Sequence, residues 1–189
     1  MKNIIFENYD SKTKSWLEQE LNLTNEPTID DYLYLCHLNE DIEKVGDIVP
    51  DDSIKPQYRT IVYDKVRKHA HWVYILVVGD KVVKCGDTTQ TLNERFSSYS
   101  AGSRKARDRG TCSTTNYFVS EVIRKAHEIG YKVELYGYPI PPQCISADIF
   151  GESVECRVDI VTYYESELIK RFVNEFGDKP IIGKNGMVK

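Results

Sequence analysis

The spacing of hydrophobic residues changes near residue 70 and divides the chain into two parts. Before that point, apolar residues recur at helical intervals. This spacing predicts a short helix over residues 11–22 and a longer one over residues 28–46, which Thr28 and Asp31 open as a capping box. Residues 49–58, VPDDSIKPQY, are typical of a turn-rich linker. We therefore expect residues 1–70 to form a helical extension with a linker.

The second part, residues 71–189, alternates short β-rich runs with amphipathic stretches. Strands, including two hairpins, are predicted over 72–78, 81–86, 131–140 and 144–158. Helices are predicted over 89–99, 111–130 and 161–176. The expected fold class is α+β, a small antiparallel sheet flanked by helices and preceded by the helical extension.

Composition is typical of a globular protein, with 41% hydrophobic and 29% charged residues. No apolar run approaches the roughly 20 residues needed to cross a bilayer, and the first residues have no long apolar segment of the signal-peptide kind. A cytoplasmic protein without a membrane partner is expected. The five scattered cysteines contain no C-x-x-C pair, which favours reduced thiols buried as small hydrophobes.

The net charge of −4 conceals a strong asymmetry along the chain. Residues 1–53 carry 4 Lys/Arg against 13 Asp/Glu, whereas residues 54–125 carry 14 against 6, and the remainder carries 7 against 10. A polyanion responds to the local field, so the basic middle third is where a phosphate backbone would dock. A solvated charged surface is the simpler alternative, and the asymmetry alone favours nucleic acid only modestly.

Five polar residues stand out against these elements, namely Tyr74 and Lys84 on the first hairpin, Arg95 and Tyr99 on the next helix, and Glu165 on the last helix. A phenol, an amine, a guanidinium and a carboxylate suit phosphodiester hydrolysis, because a carboxylate holds a hard cation and a guanidinium neutralises transition-state charge. Taken singly, each has a plainer interpretation as a core tyrosine, a solvated cation or a glutamate that favours the helix dipole.

Residues 72–99 resemble the first half of a GIY-YIG nuclease domain. Trp72 to Tyr74 match the GIY motif, Lys84 to Gly86 match the YIG motif, and Arg95 matches the arginine of the following helix. The chain departs from the usual pattern at Trp72, where the family has glycine, at Lys84, where it has tyrosine, and at Tyr99, where histidine is common.

A subgroup of type II restriction endonucleases within that superfamily has similar departures. It has a lysine in place of the second tyrosine, a segment like residues 109–119 (RGTCSTTNYFV) and a tail like residues 174–181 (NEFGDKPI). The resemblance covers about residues 72–181. It implies that Glu165 is the metal-binding glutamate, with Glu167 as the alternative.

For mechanism, the resemblance implies that Tyr74 is the general base, directly or through water, with Lys84 and Arg95 drawing off its proton. Glu165 would hold one Mg²⁺, for which Mn²⁺ can substitute, and Tyr99 would orient water or bind a phosphate oxygen.

DNA contacts are expected from the basic loop and the start of the next helix, at Arg104, Lys105, Arg107, Arg109, Ser113, Thr114, Thr115 and Asn116. The alternative is a capped helix after a solvated loop. Residues 55–71, which interleave Lys/Arg with tyrosine, would clamp the backbone or form a solvated face.

The sequence thus predicts a type II restriction endonuclease that cleaves double-stranded DNA as a homodimer, because two copies can read a two-fold symmetric site. The alternatives are a repair or homing nuclease, a non-catalytic DNA-binding module with the same fold, and an acidic interaction protein that uses its N-terminal helices.

Overall fold

The computed structural model describes residues 21–54, 57–141 and 143–183. The described residues form seven strands: β1 (Glu43–Pro50), β2 (Tyr58–Val62), β3 (Ala70–Val78), β4 (Lys81–Thr91), β5 (Val133–Pro139), β6 (Gln143–Ile149) and β7 (Glu152–Val158). They also form five α-helices: α1 (Ile29–Leu35), α2 (Leu92–Ser100), α3 (Arg104–Asp108), α4 (Thr114–Glu128) and α5 (Val161–Phe176). A short 3-10 helix, Ile181–Gly183, follows α5. No helix among the described residues is long and apolar enough to cross a bilayer.

Five strands form one antiparallel sheet in the order β2-β1-β5-β3-β4. The order leaves β4 at one end of the sheet, where residues 27–29 run beside only its first residues. The hairpin between β3 and β4 turns at Gly79, whose φ of +69° is a conformation that glycine adopts at little cost. The predicted α+β fold with a helix-flanked antiparallel sheet is confirmed.

Strand β3 is buried on both faces, which explains why its sequence is a continuous apolar run rather than an alternating one. Trp72, Tyr74 and Leu76 point into one core, together with residues of α2 and α4. Val73, Ile75 and Val77 point into a second core, together with residues of α1 and α5. Helices α2 and α5 therefore cover opposite faces of the sheet.

Helices α2 and α4 begin, and helix α5 ends, where local sequence signals place these boundaries. Thr91 and Glu94 form a complete capping box at the start of α2, and the side chain of Ser113 caps α4. Helix α5 ends at Gly177, which has a left-handed conformation. These three predicted helices are confirmed, and so are the hairpins at residues 72–86 and 144–158.

The predicted helical extension is wrong over much of its described length. Helix α1 ends at Leu35, and residues 43–50 form β1 instead of the end of a long helix. Residues 58–62, at the end of the expected linker and beyond, form β2. Both strands belong to the main sheet, in which β1 pairs with β2 on one side and with β5 on the other, and these hydrogen bonds replace the expected helical ones. The helix predicted over residues 11–22 falls almost wholly outside the described residues.

Strands β6 and β7 form a separate two-stranded sheet between β5 and α5. The pairs Ile145–Cys156 and Ala147–Val154 lie on one apolar face, because paired residues of antiparallel strands share a face. Ile145 and Val154 are exposed, and so is Phe150 at the turn. This hairpin therefore lies outside both hydrophobic cores.

Candidate active site

The candidate site is built around the middle of β4, at the end of the sheet. Tyr74 of β3 lies opposite Gly86 of β4, and its ring lies directly over that glycine. A Cβ at position 86 would lie 2.5 Å from the Tyr74 hydroxyl oxygen, so a larger residue would displace the ring. Gly86 thus allows the phenol to reach across the last strand of the sheet.

Tyr74, Tyr99 and Arg95 form a connected hydrogen-bonded group. The Tyr74 and Tyr99 hydroxyl oxygens are 2.5 Å apart, and the Arg95 Nε donates to the Tyr74 hydroxyl at 3.3 Å. The Arg95 guanidinium also lies over the Tyr99 ring, 4.6 Å from its centroid. Arg95 and Tyr99 meet because they are one helical turn apart on α2.

Lys84 is a buried cation on the same strand as Gly86, with a relative exposure of 8%. A register shift in the pairing of β3 with β4 places it opposite Leu76, on the face that carries Tyr74. Its Nζ donates to the carbonyl of Cys85 at 3.1 Å. A cation with few protein partners in a buried position is suited to meet an anionic ligand.

Glu165 reaches this group from the other side of the sheet. It lies on the stripe of α5 that carries Val161, Leu168 and Phe172, at positions i, i+4, i+7 and i+11, and it is half-buried. Although α5 and α2 cover opposite faces, the Glu165 carboxylate interacts electrostatically with Tyr74, Lys84 and Arg95. The position of β4 at the end of the sheet explains this, since groups from both faces can meet around the last strand.

Glu167 has a different environment from that of Glu165. It is exposed and forms ion pairs with Lys170 and Arg171 on its own helix. Those cations lower the pKa of Glu167, whereas the pKa of Glu165 is raised. Of the two glutamates, Glu165 is the one that interacts with Tyr74, Lys84 and Arg95.

The pKa values reflect burial and local charge. Burial raises the pKa of Tyr74, whereas the Arg95 charge and the hydrogen bonds from Tyr99 and Arg95 act in the opposite direction. Burial also raises the pKa of Glu165, and the Asp87 carboxylate adds to this effect, while Lys84 and Arg95 oppose it. Burial thus shifts both groups toward their protonated forms relative to the same side chains in water, and nearby positive charge opposes that shift.

The Glu165 carboxylate is suited to a hard cation that takes most of its ligands from water and phosphate. Among the described residues, no group of three or more His, Cys, Asp or Glu side chains could enclose a metal ion. Mg²⁺ commonly binds through one or two carboxylates, with water and phosphate oxygens completing its octahedron. The single carboxylate of Glu165 fits that donor set.

The expected DNA-contact residues form a neighbouring segment. Lys105 and Arg109 are exposed on and just after α3, Arg107 is half-buried, and Arg104 is the first residue of the same helix. Gly102 connects α2 to this segment, and a Cβ there would lie within 3 Å of the carbonyl oxygens of Tyr99 and Asn116. The predicted basic loop is therefore partly helical and is held against the end of α2.

Helix capping occupies part of this segment. The Ser113 hydroxyl accepts a hydrogen bond from the Asn116 amide, and the Asn116 side chain donates to the Ser98 carbonyl. Thr114 and Thr115 lie half-buried in the first turn of α4. Ser113 and Asn116 thus have structural roles, as the alternative interpretation of a capped helix expects.

The contact of Asp87 with α5 and the close approach of Tyr74 to Gly86 were not predicted from the sequence. Asp87 lies one residue beyond Gly86, on the α5 face of β4, where its Oδ2 accepts a hydrogen bond from Thr162 at 3.1 Å. A carboxylate directly after the Lys84–Gly86 motif was the available signal. Its partner lies 75 residues later in the chain, so only the fold could reveal the contact.

Comparison with known proteins identifies structural relatives. No protein-family model matches the chain, and no curated protein matches it. Restriction endonuclease HPY188I, solved in complex with product DNA, is 27% identical, with a TM-score of 0.59 over 85% of this chain and 87% of that one. A mutant of bacteriophage T4 EndoII is 19% identical, with a TM-score of 0.56 over 77% of this chain and 96% of that one, and shows similarity of fold. The chain therefore shares the fold of a restriction endonuclease over most of its length.

Proposed function

We propose that this protein is a Mg²⁺-dependent endonuclease of the GIY-YIG type that cleaves double-stranded DNA at a specific short site. The observation that carries the proposal is the convergence of Tyr74, Lys84, Arg95 and Glu165 around the last strand of the sheet. The relative solved with product DNA supports the same conclusion, because the similarity extends over most of both chains.

In this proposal Tyr74 accepts the proton of the attacking water, directly or through a second water. Burial raises the pKa of Tyr74 and so disfavours the phenolate, which is the form that accepts a proton. The positive charge of Arg95 opposes this effect, and Lys84 is proposed to add to that opposition. Tyr99 fixes the position of the Tyr74 hydroxyl through their 2.5 Å contact. Arg95 also neutralises charge on the phosphate in the transition state.

Glu165 is the proposed metal ligand, with Mg²⁺ as the cofactor and Mn²⁺ as a substitute. A bound divalent cation polarises the scissile phosphate and stabilises the leaving oxygen. Glu165 must be ionised to bind the cation, and the positive charges of Lys84 and Arg95 favour that ionised form. Glu167 is disfavoured because its carboxylate already pairs with Lys170 and Arg171.

The segment that follows α2 is proposed to contact DNA, with Arg104, Lys105, Arg107 and Arg109 as phosphate or guanine contacts. Its connection to Tyr99 through Gly102 would fix the bound duplex relative to the catalytic group. Thr114 and Thr115 remain proposed contacts, whereas Ser113 and Asn116 would support them by capping α4.

A type II restriction activity is proposed, with two copies of the chain each cutting one strand of a two-fold symmetric site. This arrangement needs only one scissile phosphate per copy, which agrees with the single group of catalytic side chains proposed here.

The test is incubation of the full chain with bacteriophage DNA in the presence of Mg²⁺ or EDTA. We expect discrete fragments with Mg²⁺ and intact DNA with EDTA. Glu165→Ala and Arg95→Ala should each abolish cleavage and retain DNA binding, whereas the matched control Glu167→Ala should cleave normally. A smear or nicking would indicate a nuclease with another role, and DNA left intact by the parent protein would contradict the proposal.

A further inference from the structure

Asp87 lies where the site strand meets the helix that carries Glu165. It pairs with Val73 across β3 and β4, so its side chain is on the α5 face of the sheet. The residue is half-buried, and its Oδ2 accepts from the Thr162 Oγ1 at 3.1 Å. The carboxylate therefore joins β4 to the first turn of α5.

That first turn has little side-chain capping of its own. The N-cap residue, Ile160, makes no side-chain capping hydrogen bond, and the Val161 backbone N–H donates to Oδ1 of Asp159. Because Thr162 precedes Glu165 by three residues, the two side chains lie on adjacent turns of one helix side. A constraint on Thr162 is thus a constraint on the direction of the Glu165 side chain.

A second contact holds the same turn against the sheet. The rings of Tyr164 and Tyr138 are stacked, with centroids 6.1 Å apart. This contact reaches β5, whereas the Asp87–Thr162 hydrogen bond reaches β4, beside Gly86 and Lys84. The hydrogen bond therefore links the first turn of α5 directly to β4, next to Gly86.

We propose that Asp87 is a positioning residue, which holds the first turn of α5 through Thr162 and so aims Glu165 at the catalytic group. The inference deepens the proposed function and rests on it for the role of Glu165. In this account Asp87 acts by accepting a hydrogen bond, and its negative charge is not what the reaction needs.

The negative charge of Asp87 does not favour the ionised form of Glu165. Asp87 raises the pKa of Glu165, as expected for two neighbouring carboxylates. The contribution of Asp87 that the geometry supports is the hydrogen bond that it accepts from Thr162.

Four variants separate the hydrogen bond from the charge. Asp87→Ala and Thr162→Val remove the bond, whereas Asp87→Asn keeps an acceptor without the charge and Thr162→Ser keeps the donor. We expect Asp87→Ala and Thr162→Val each to lower the single-turnover cleavage rate by about five- to ten-fold at saturating DNA and Mg²⁺. Asp87→Asn and Thr162→Ser should stay within about two-fold of the parent. Tyr163→Phe, at an exposed position of the same turn, is the control.

A double variant gives the decisive comparison. If the two residues act through one bond, Asp87→Ala with Thr162→Val should be no slower than either single variant. A multiplicative loss in the double variant would overturn the proposal. A loss in Asp87→Asn as large as that in Asp87→Ala would also overturn it, since the charge would then be the active property.

Amide hydrogen exchange tests the positioning independently of cleavage. The amides of Glu165 and Ser166 should exchange about three- to ten-fold faster in Asp87→Ala and Thr162→Val than in the parent, and at the parental rate in Asp87→Asn. Unchanged exchange in the first two variants would contradict the proposal. If the parent protein cuts no DNA, the proposed function fails, while the exchange rates still decide whether Asp87 holds this turn.

Discussion

At the scale of single residues, Gly86 is the position where the site tolerates least change. A Cβ there would lie 2.5 Å from both the Cζ and the hydroxyl oxygen of Tyr74, whose ring is fully buried and packs against Phe96 at 5.2 Å. We expect Gly86→Ala to lower the free energy of unfolding by about 1–3 kcal/mol, as overpacking does elsewhere. Cleavage should fall further than stability, because the displaced phenol would lose its contacts with Tyr99 and Arg95.

Denaturant unfolding and single-turnover cleavage measure the two effects. Gly183→Ala is the matched control, since a Cβ there meets its nearest atom at 3.8 Å, and it should change neither quantity appreciably. A Gly86→Ala protein as stable and active as the parent would show that Tyr74 does not need its present position.

The ionised form of Glu165 is expected to lower the stability of the fold. Burial raises its pKa above the ordinary value, so the folded chain binds the proton more tightly than the unfolded chain does. The resulting loss in the free energy of unfolding is absent below the unfolded-state pKa of about 4.3. It is complete once the pH exceeds the raised pKa of the folded state. Glu165→Gln should therefore raise the Tm at pH 7, and the gain should disappear toward pH 4.

Thermal unfolding of both proteins across this pH range, in EDTA, tests the sign of the effect. A Glu165→Gln protein less stable than the parent at pH 7 would mean that the carboxylate is better stabilised by its neighbours than its burial indicates.

The cysteines confirm the sequence prediction only in part. Cys36 and Cys85 are buried, and burial raises their pKa values to about 11 and about 12, whereas Cys144 is exposed. With an aromatic disulfide reagent at pH 8, Cys144 should react at least about ten-fold faster than Cys36 or Cys85, because the thiolate is the nucleophile. Equal reactivity of Cys85 in the native protein would indicate that the interior beside Lys84 opens to solvent.

At the scale of secondary-structure elements, local sequence signals predicted the elements whose conformation depends on neighbouring residues. The β3–β4 hairpin follows from its turn and its apolar strands, and α2 and α4 follow from caps at Thr91 and Ser113. Strand β1 was mistaken for the end of a helix because Ile42 fits the helical spacing of the apolar residues before it and Gly46 is typical of a helix end. Its conformation is decided by pairing with β2 and with β5, which lies about 90 residues further along the chain.

The β6–β7 hairpin should be the least protected of the described strand pairs. It has only two strands and lies outside both hydrophobic cores, and isolated hairpins are marginally stable in water. Amides of residues 145–156 should exchange at least about 100-fold faster than those of β3, since buried central strands open only with large-scale unfolding. Equal protection in the two segments would contradict this picture and would indicate that another surface covers the hairpin.

At the scale of the whole molecule, the sequence predicted which residues converge but not how they do so. Tyr74, Lys84 and Arg95 fall on neighbouring elements, and their proximity follows from local order. Glu165 reaches them from the opposite face of the sheet, which is feasible because β4 is the last strand in the order β2-β1-β5-β3-β4. Strand order depends on contacts distant in sequence, and this is also why the Asp87–Thr162 contact was not predicted.

The most direct test of the account is whether Arg95 and Glu165 act on the same chemical step. Single-turnover cleavage of bacteriophage DNA with Mg²⁺ should fall by at least about 1000-fold in Arg95→Ala and in Glu165→Ala, and the double variant should be hardly slower than either, because residues that act as a unit are not additive. Independent, multiplicative losses, or substantial cleavage by either single variant that retains the parental affinity for DNA, would contradict the account.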